Sequence, residues 1–190
     1  MFVETVKSEG LAHYSYMMGD GSEAAVIDPR RDCDIYLDLA REKGVAITHI
    51  FETHRNEDYV IGSRALAKKT GARILHGHED ENPFAYGETV REDDVFCLGS
   101  AVLRVIETPG HTLNSISLSL ADAGYDADRP VAVFTGDALF IGGVGRTDFY
   151  PGREEEVAGL LYDSLFGKLL PLGDDVLVHP AHGAGSVCGA

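Results

Sequence analysis

Four side chains able to bind a metal stand at the ends of apolar runs: His54, His111, Asp137 and His182. His54 closes the run Ile47-Thr48-His49-Ile50-Phe51-Glu52-Thr53, and His111 sits in Thr108-Pro109-Gly110-His111-Thr112. Asp137 sits in Thr135-Gly136-Asp137-Ala138-Leu139-Phe140, and His182 in His179-Pro180-Ala181-His182-Gly183. A lone histidine is more often a core or surface group than a ligand. Four such residues, each on a loop after a β-type run and each beside a Gly, a Pro or a tight turn, are hard to attribute to chance. Imidazole and carboxylate together suit a divalent transition metal. Loops at the carboxyl ends of strands are where α/β proteins place their chemistry.

The elements that would carry these loops can be read from periodicity. Residues 2–7 and 11–18 alternate as two strands turned at Ser8-Glu9-Gly10, and 24–28 is a short apolar strand stopped by Pro29. Ile35 to Gly44 reads as a short amphipathic helix with Gly at its end. The spacing then predicts a strand over 46–53, a helix over about 59–70 ending at Gly71, and a strand over 72–76. Strands follow at 88–90, 95–98, 101–107 and 115–120. Residues 122–130 read as a polar loop, 131–134 as a buried strand, and 141–152 as a Gly-rich loop. A helix over about 154–170 and a strand over 176–178 complete the chain. Periodicity alone supports a mixture of α and β.

The 190 residues fit a single domain, 1–190. A net charge of −15 argues against nucleic-acid binding, which needs a basic stripe. Cys33, Cys97 and Cys188 are odd in number and far apart, which favours a reducing compartment over a disulfide framework. Met1-Phe2-Val3-Glu4-Thr5 lacks the pattern of a signal peptide, and no apolar run is long enough for a bilayer. The expected location is the cytoplasm, with no membrane partner.

Residues 11–183 resemble the metallo-β-lactamase fold, and within it the persulfide dioxygenase (sulfur dioxygenase) branch, including bacterial forms fused to rhodanese domains. The matching pieces are Phe51-Glu52-Thr53-His54, Thr108-Pro109-Gly110-His111-Thr112, Phe134-Thr135-Gly136-Asp137-Ala138-Leu139-Phe140, Gly145-Arg146-Thr147-Asp148-Phe149 and His179-Pro180-Ala181-His182-Gly183. The resemblance implies an αββα sandwich of two mixed sheets with helices outside and the metal at one edge. The family's first motif, His-x-His-x-Asp-His, is only partly present in Thr53-His54-Arg55-Asn56-Glu57-Asp58-Tyr59, with Asn56 and Tyr59 at two histidine positions. A two-zinc hydrolase site would lose one ligand at each metal. The subset used by the dioxygenases, His54, His111 and Asp137, is intact. It implies one Fe(II) per chain, a small-molecule thiol persulfide and O2 as substrates, and sulfite and thiol as products. Two imidazoles and one carboxylate on one face form the facial triad of non-haem iron oxygenases.

Arg146 resembles the family's arginine near the substrate carboxylates; the alternative is an arginine paired with Asp148 or with neighbours of Asp137. Asp58 and His182 either orient a ligand or bound water, or are simply buried hydrogen-bonded groups. Tyr59 either turns its hydroxyl to the site or packs at a helix start. Two rival functions stand beside the dioxygenase. One is a thioester hydrolase of the glyoxalase II type using zinc; the other is a binding module whose altered motif no longer holds metal. The fused relatives also raise the expectation that 1–190 is the N-terminal part of a longer rhodanese-bearing protein, and the family often forms homodimers.

Overall fold

The computed structural model describes residues 1–8, 10–55 and 59–183. The first half of the chain forms one mixed sheet. Its strands are β1 (Phe2–Ser8), β2 (His13–Asp20), β3 (Glu23–Ile27), β4 (Ala46–Glu52), β5 (Arg73–His76) and β6 (Glu88–Thr89), lying in that order. The first three pair antiparallel, and β3 to β6 run parallel. The parallel pairs need crossovers. Helix α1 (Asp34–Lys43) supplies one and helix α2 (Ser63–Thr70) the next. Both end at a left-handed glycine, Gly44 and Gly71, with basic residues in the last turn against the helix dipole.

The second sheet has the order β13-β10-β9-β8-β7. These are β7 (Val95–Leu98), β8 (Ala101–Glu107), β9 (Ile116–Asp122), β10 (Asp126–Gly136) and β13 (Leu177–Pro180). Between β10 and β13 come a small hairpin, β11 (Leu139–Phe140) with β12 (Gly143–Val144), and helix α3 (Glu154–Ser164). Helix α3 runs on through a π turn at Leu165–Leu169 and a 3-10 turn at Leu170–Leu172.

Three apolar layers hold these parts together. Tyr16, Met18, Ile27, Phe51 and Leu75 from the first sheet face Leu103, Val105, Leu118, Leu120 and Phe134 from the second. Met17, Val26, Ile47 and Ile50 point the other way and pack on Tyr36, Ala40 and Leu66 of α1 and α2. Ile106 and Val133 pack outward on Leu161, Leu165 and Leu169. The strand period of two thus feeds both faces of each sheet, and the result is the αββα sandwich expected.

Three details differ from the sequence expectation. Helix α2 begins at Ser63 rather than near Tyr59, because Arg30 and Ile61 form a β-bridge and Gly62 donates to the Pro29 carbonyl. Strand β10 begins at Asp126, so the polar stretch before Pro130 is paired, irregularly, with β9 rather than looped. The hairpin β11–β12 lies inside the segment read as a Gly-rich loop. Asn56, Asp58 and Cys188, together with the Glu9 position of the first turn, lie outside the described residues.

Candidate metal centre

The two sheets meet at one end through main-chain bonds. Tyr14 donates to the Ala181 carbonyl, Ile116 to the Thr53 carbonyl, and His13 bridges His182. Strand β4 delivers His54 to this end, the β8–β9 loop delivers His111, and β10 delivers Asp137. All three side chains are buried. One ligand atom from each lies within 4.8 Å of the others, the one group of this kind among the described residues. The Asp137 Oδ2 is 3.6 Å from His54 Nε2 and 3.4 Å from His111 Nε2.

The atoms turned away from this point are all engaged. His111 Nδ1 is 2.9 Å from the Arg146 carbonyl, which can only accept, so Nδ1 carries the proton and Nε2 keeps its lone pair. Thr53 Oγ1 donates to Asp28 Oδ2 at 2.6 Å, so it accepts from His54 Nδ1 at 2.9 Å, and His54 Nε2 is likewise a lone-pair donor. His182 Nδ1 donates to Asp137 Oδ1 at 2.7 Å. Asp137 Oδ2 is buried and has no hydrogen-bond donor among the described residues. A buried carboxylate oxygen without a donor is costly unless a cation or proton meets it. Two imidazole lone pairs and this oxygen converge, and the residues present fit one divalent metal ion.

In the metal-free protein the two buried carboxylates of this region are shifted in opposite directions. Burial opposes charge on Asp137, but His54, the hydrogen bond from His182, and His111 outweigh it and hold the carboxyl down at about 2. Burial pushes Asp28 the other way, up to about 7, against the hydrogen bonds from Thr53.

The remaining residues expected at the site are placed as follows. His182 is buried behind Asp137, with His13 and Phe140 packed edge-on to its ring. Tyr59 lays its ring on His13, centroids 4.0 Å apart, and donates its hydroxyl to the Asp28 carbonyl at 3.4 Å. The Arg146 guanidinium makes two bonds of 2.6 Å to Asp148 and lies over Phe149, whose ring meets His111. The Arg146 guanidinium is thus paired with Asp148, while its main-chain carbonyl meets His111. Asp28 and Thr53 escaped the sequence reading. Asp28 looks like the polar end of an apolar strand before Pro29, and only its left-handed φ of 51° sets it apart.

Comparison with known proteins fixes the family. A model of the metallo-beta-lactamase superfamily matches residues 9–182. The chain belongs to that superfamily. It is 32% identical over 187 residues to a hydroxyacylglutathione hydrolase of Polaromonas sp. JS666, covering 96% of this chain and 66% of that protein. It is 30% identical to the mitochondrial persulfide dioxygenase ETHE1 of Mus musculus, covering 89% of this chain and 63% of that protein. Among solved structures, a metallo-beta-lactamase from Staphylococcus aureus superposes with a TM-score of 0.89 at 35% identity, covering 100% of this chain and 59% of that one. ETHE1 from Myxococcus xanthus superposes with a TM-score of 0.83 at 34% identity, covering 100% and 79%. The chain spans 56% to 66% of the length of the curated relatives it matches. Relatives of this metallo-beta-lactamase-fold chain thus include both an oxidoreductase and a hydrolase at similar identity.

Proposed function

We propose that this chain is a mononuclear iron persulfide dioxygenase acting on a small-molecule thiol persulfide, of glutathione or a similar carrier. The reaction is R–S–SH + O2 + H2O → R–SH + H2SO3. Both atoms of O2 and the oxygen of water go to the outer sulfur, and the S–S bond breaks to leave the thiol. The supporting observation is the donor set. His54, His111 and Asp137 offer two imidazoles and one carboxylate oxygen, while His182 is engaged with the second carboxylate oxygen. This set suits a non-haem Fe(II). Iron held there would supply redox chemistry that zinc lacks.

The chain's own residues then have defined tasks. His182 restricts Asp137 to a single free oxygen. The Arg146 carbonyl keeps the lone pair of His111 turned inward. The Arg146 guanidinium, held by Asp148 at the protein surface, exchanges that partner for a substrate carboxylate. No helix among the described residues is long and apolar enough to cross a membrane.

The second reading is a thioester hydrolase of the glyoxalase II type. The hydroxyacylglutathione hydrolases favour it, because they match as well as the dioxygenases do. Asn56 and Tyr59 at two family histidine positions weigh against the second metal that reading requires. Protein purified from cells supplied with both iron and zinc separates the two. The dioxygenase reading expects one iron per chain, O2 uptake with glutathione persulfide, and sulfite as product. Two zinc ions per chain with rapid cleavage of a hydroxyacylglutathione, and no O2 uptake, would overturn it.

A further inference from the structure

We infer that Asp28 and Thr53 form a positioning relay for His54, which sets how tightly and in what geometry the metal is held, whichever reaction the site performs. Asp28 sits at the end of β3, buried, with φ of 51°. That left-handed turn folds its carboxylate back onto the end of β4. Its main-chain N–H donates to the Phe51 carbonyl at 2.9 Å. Its Oδ1 accepts from the Thr53 N–H at 2.8 Å and its Oδ2 from the Thr53 hydroxyl at 2.6 Å.

A staple between β3 and β4 would need only the main-chain bonds. The hydroxyl leg does something else: it fixes the one proton of Thr53 on Asp28, so Oγ1 can only accept from His54 Nδ1. The neighbourhood leaves the hydroxyl little freedom. Thr53 is buried, and Gly136, at φ 52°, comes so close that a Cβ there would stand 2.6 Å from Thr53 Oγ1. A strained residue carrying a buried carboxylate persists where the surroundings over-determine it, and such residues cluster at functional sites. The relay ends on a ligand atom pair, His54 Nε2 facing Asp137 Oδ2, so its reach is the metal.

The test uses three variants of the full chain and Co(II) as the probe, so that it is independent of turnover and of the native metal. Thr53→Val keeps the shape and removes the hydroxyl; Thr53→Ser restores it. Asp28→Asn suits the same left-handed backbone, since Asn tolerates that region well, but offers one acceptor where Asp offers two. Co(II) affinity is read by competition with a chelator, the visible ligand-field spectrum reports geometry, and circular dichroism confirms the fold. Loss of a group behind a ligand typically weakens metal binding by roughly 10–100-fold. Thr53→Val and Asp28→Asn are expected to fall in that range with an altered spectrum, and Thr53→Ser to stay within about threefold of wild type. Wild-type affinity and spectrum in Thr53→Val would overturn the inference. So would a Thr53→Ser variant as impaired as Thr53→Val, which would make the methyl group, not the hydroxyl, the part that matters.

Discussion

At the scale of single residues, the two oxygens of Asp137 have different tasks, and substitution should separate them. Asp137→Ala removes the anionic ligand and with it the charge that compensates the cation. It is expected to strip the metal and abolish O2 uptake. His182→Ala leaves all three ligand atoms but frees Oδ1. It should retain most of the iron at saturating supply while binding it about 10–100-fold more weakly and turning over more slowly. Equal metal loss in both variants, measured by atomic emission, would make His182 a ligand. Arg146→Ala keeps the carbonyl that orients His111, so the chemical step is preserved. KM for a carboxylate-bearing persulfide should rise far more than kcat falls; an unchanged KM would leave Arg146 a partner of Asp148 only. Acid stability gives a further check. An unfolded Asp titrates near ~3.9, and Asp137 in the fold is held down at about 2. In metal-stripped protein its ionised form therefore favours the fold above about pH 4, and that contribution is lost as the pH falls through about 2. Urea unfolding of the metal-stripped wild type and of Asp137→Asn should show a gap at pH 5 that shrinks by pH 3. The three residues that converge, His54, His111 and Asp137, stand out in the sequence because each follows an apolar run at the start of a loop. Asp28 was not, because its function depends on a backbone dihedral and on a contact with Thr53, 25 residues away.

At the scale of elements, helix α3 supports the loop that carries His111. Ser164 donates to the Pro109 carbonyl at 2.8 Å. Gly110, at φ 143°, lies against Leu161 so closely that a Cβ would meet its Cβ, Cα and N at 2.4–2.6 Å. Gly110→Ala cannot be relieved by a side-chain rotation, since two of those atoms are main chain. It should destabilise the protein by about 1–3 kcal/mol through overpacking. Because relief must come from moving the loop, metal affinity should fall together with stability. Unfolding and metal titration on the same sample check this, and a variant of wild-type stability would mean that α3 yields easily. The π turn that follows, Leu165–Leu169, places Leu165 and Leu169 on the second sheet while Phe166 and Leu170 stay exposed. Sequence periodicity marked this helix well because one face is buried. It failed at the start of β10, where Asp126 to Arg129 are exposed and their pairing with β9 buries nothing that would alternate. It also placed the start of α2 too early, since a bridge to Arg30 is a long-range contact that local pattern does not encode.

At the scale of the whole molecule, the charge of −15 acts on any substrate before a single residue touches it. The persulfides proposed here are anionic, so the approach is repelled at long range and attracted only near the local cations. Arg146 borders the site at Phe149. A cleft of about 660 Å3 on the Tyr59 side is bordered by Lys7, Arg30 and Arg31. Arg30 is already paired with Asp32. Screening removes long-range repulsion first, because the Debye length is ~10 Å at 0.1 M salt. Raising the ionic strength from about 0.01 M to 0.1 M, where that length contracts from ~30 Å to ~10 Å, should therefore raise kcat/KM for glutathione persulfide by a factor of roughly two to five. The rate with a persulfide whose carboxylates are esterified should stay flat over the same range. Stopped-flow O2 uptake at several salt concentrations reads this directly. A fall in kcat/KM with salt would mean that the cationic cleft, rather than the net charge, governs the encounter.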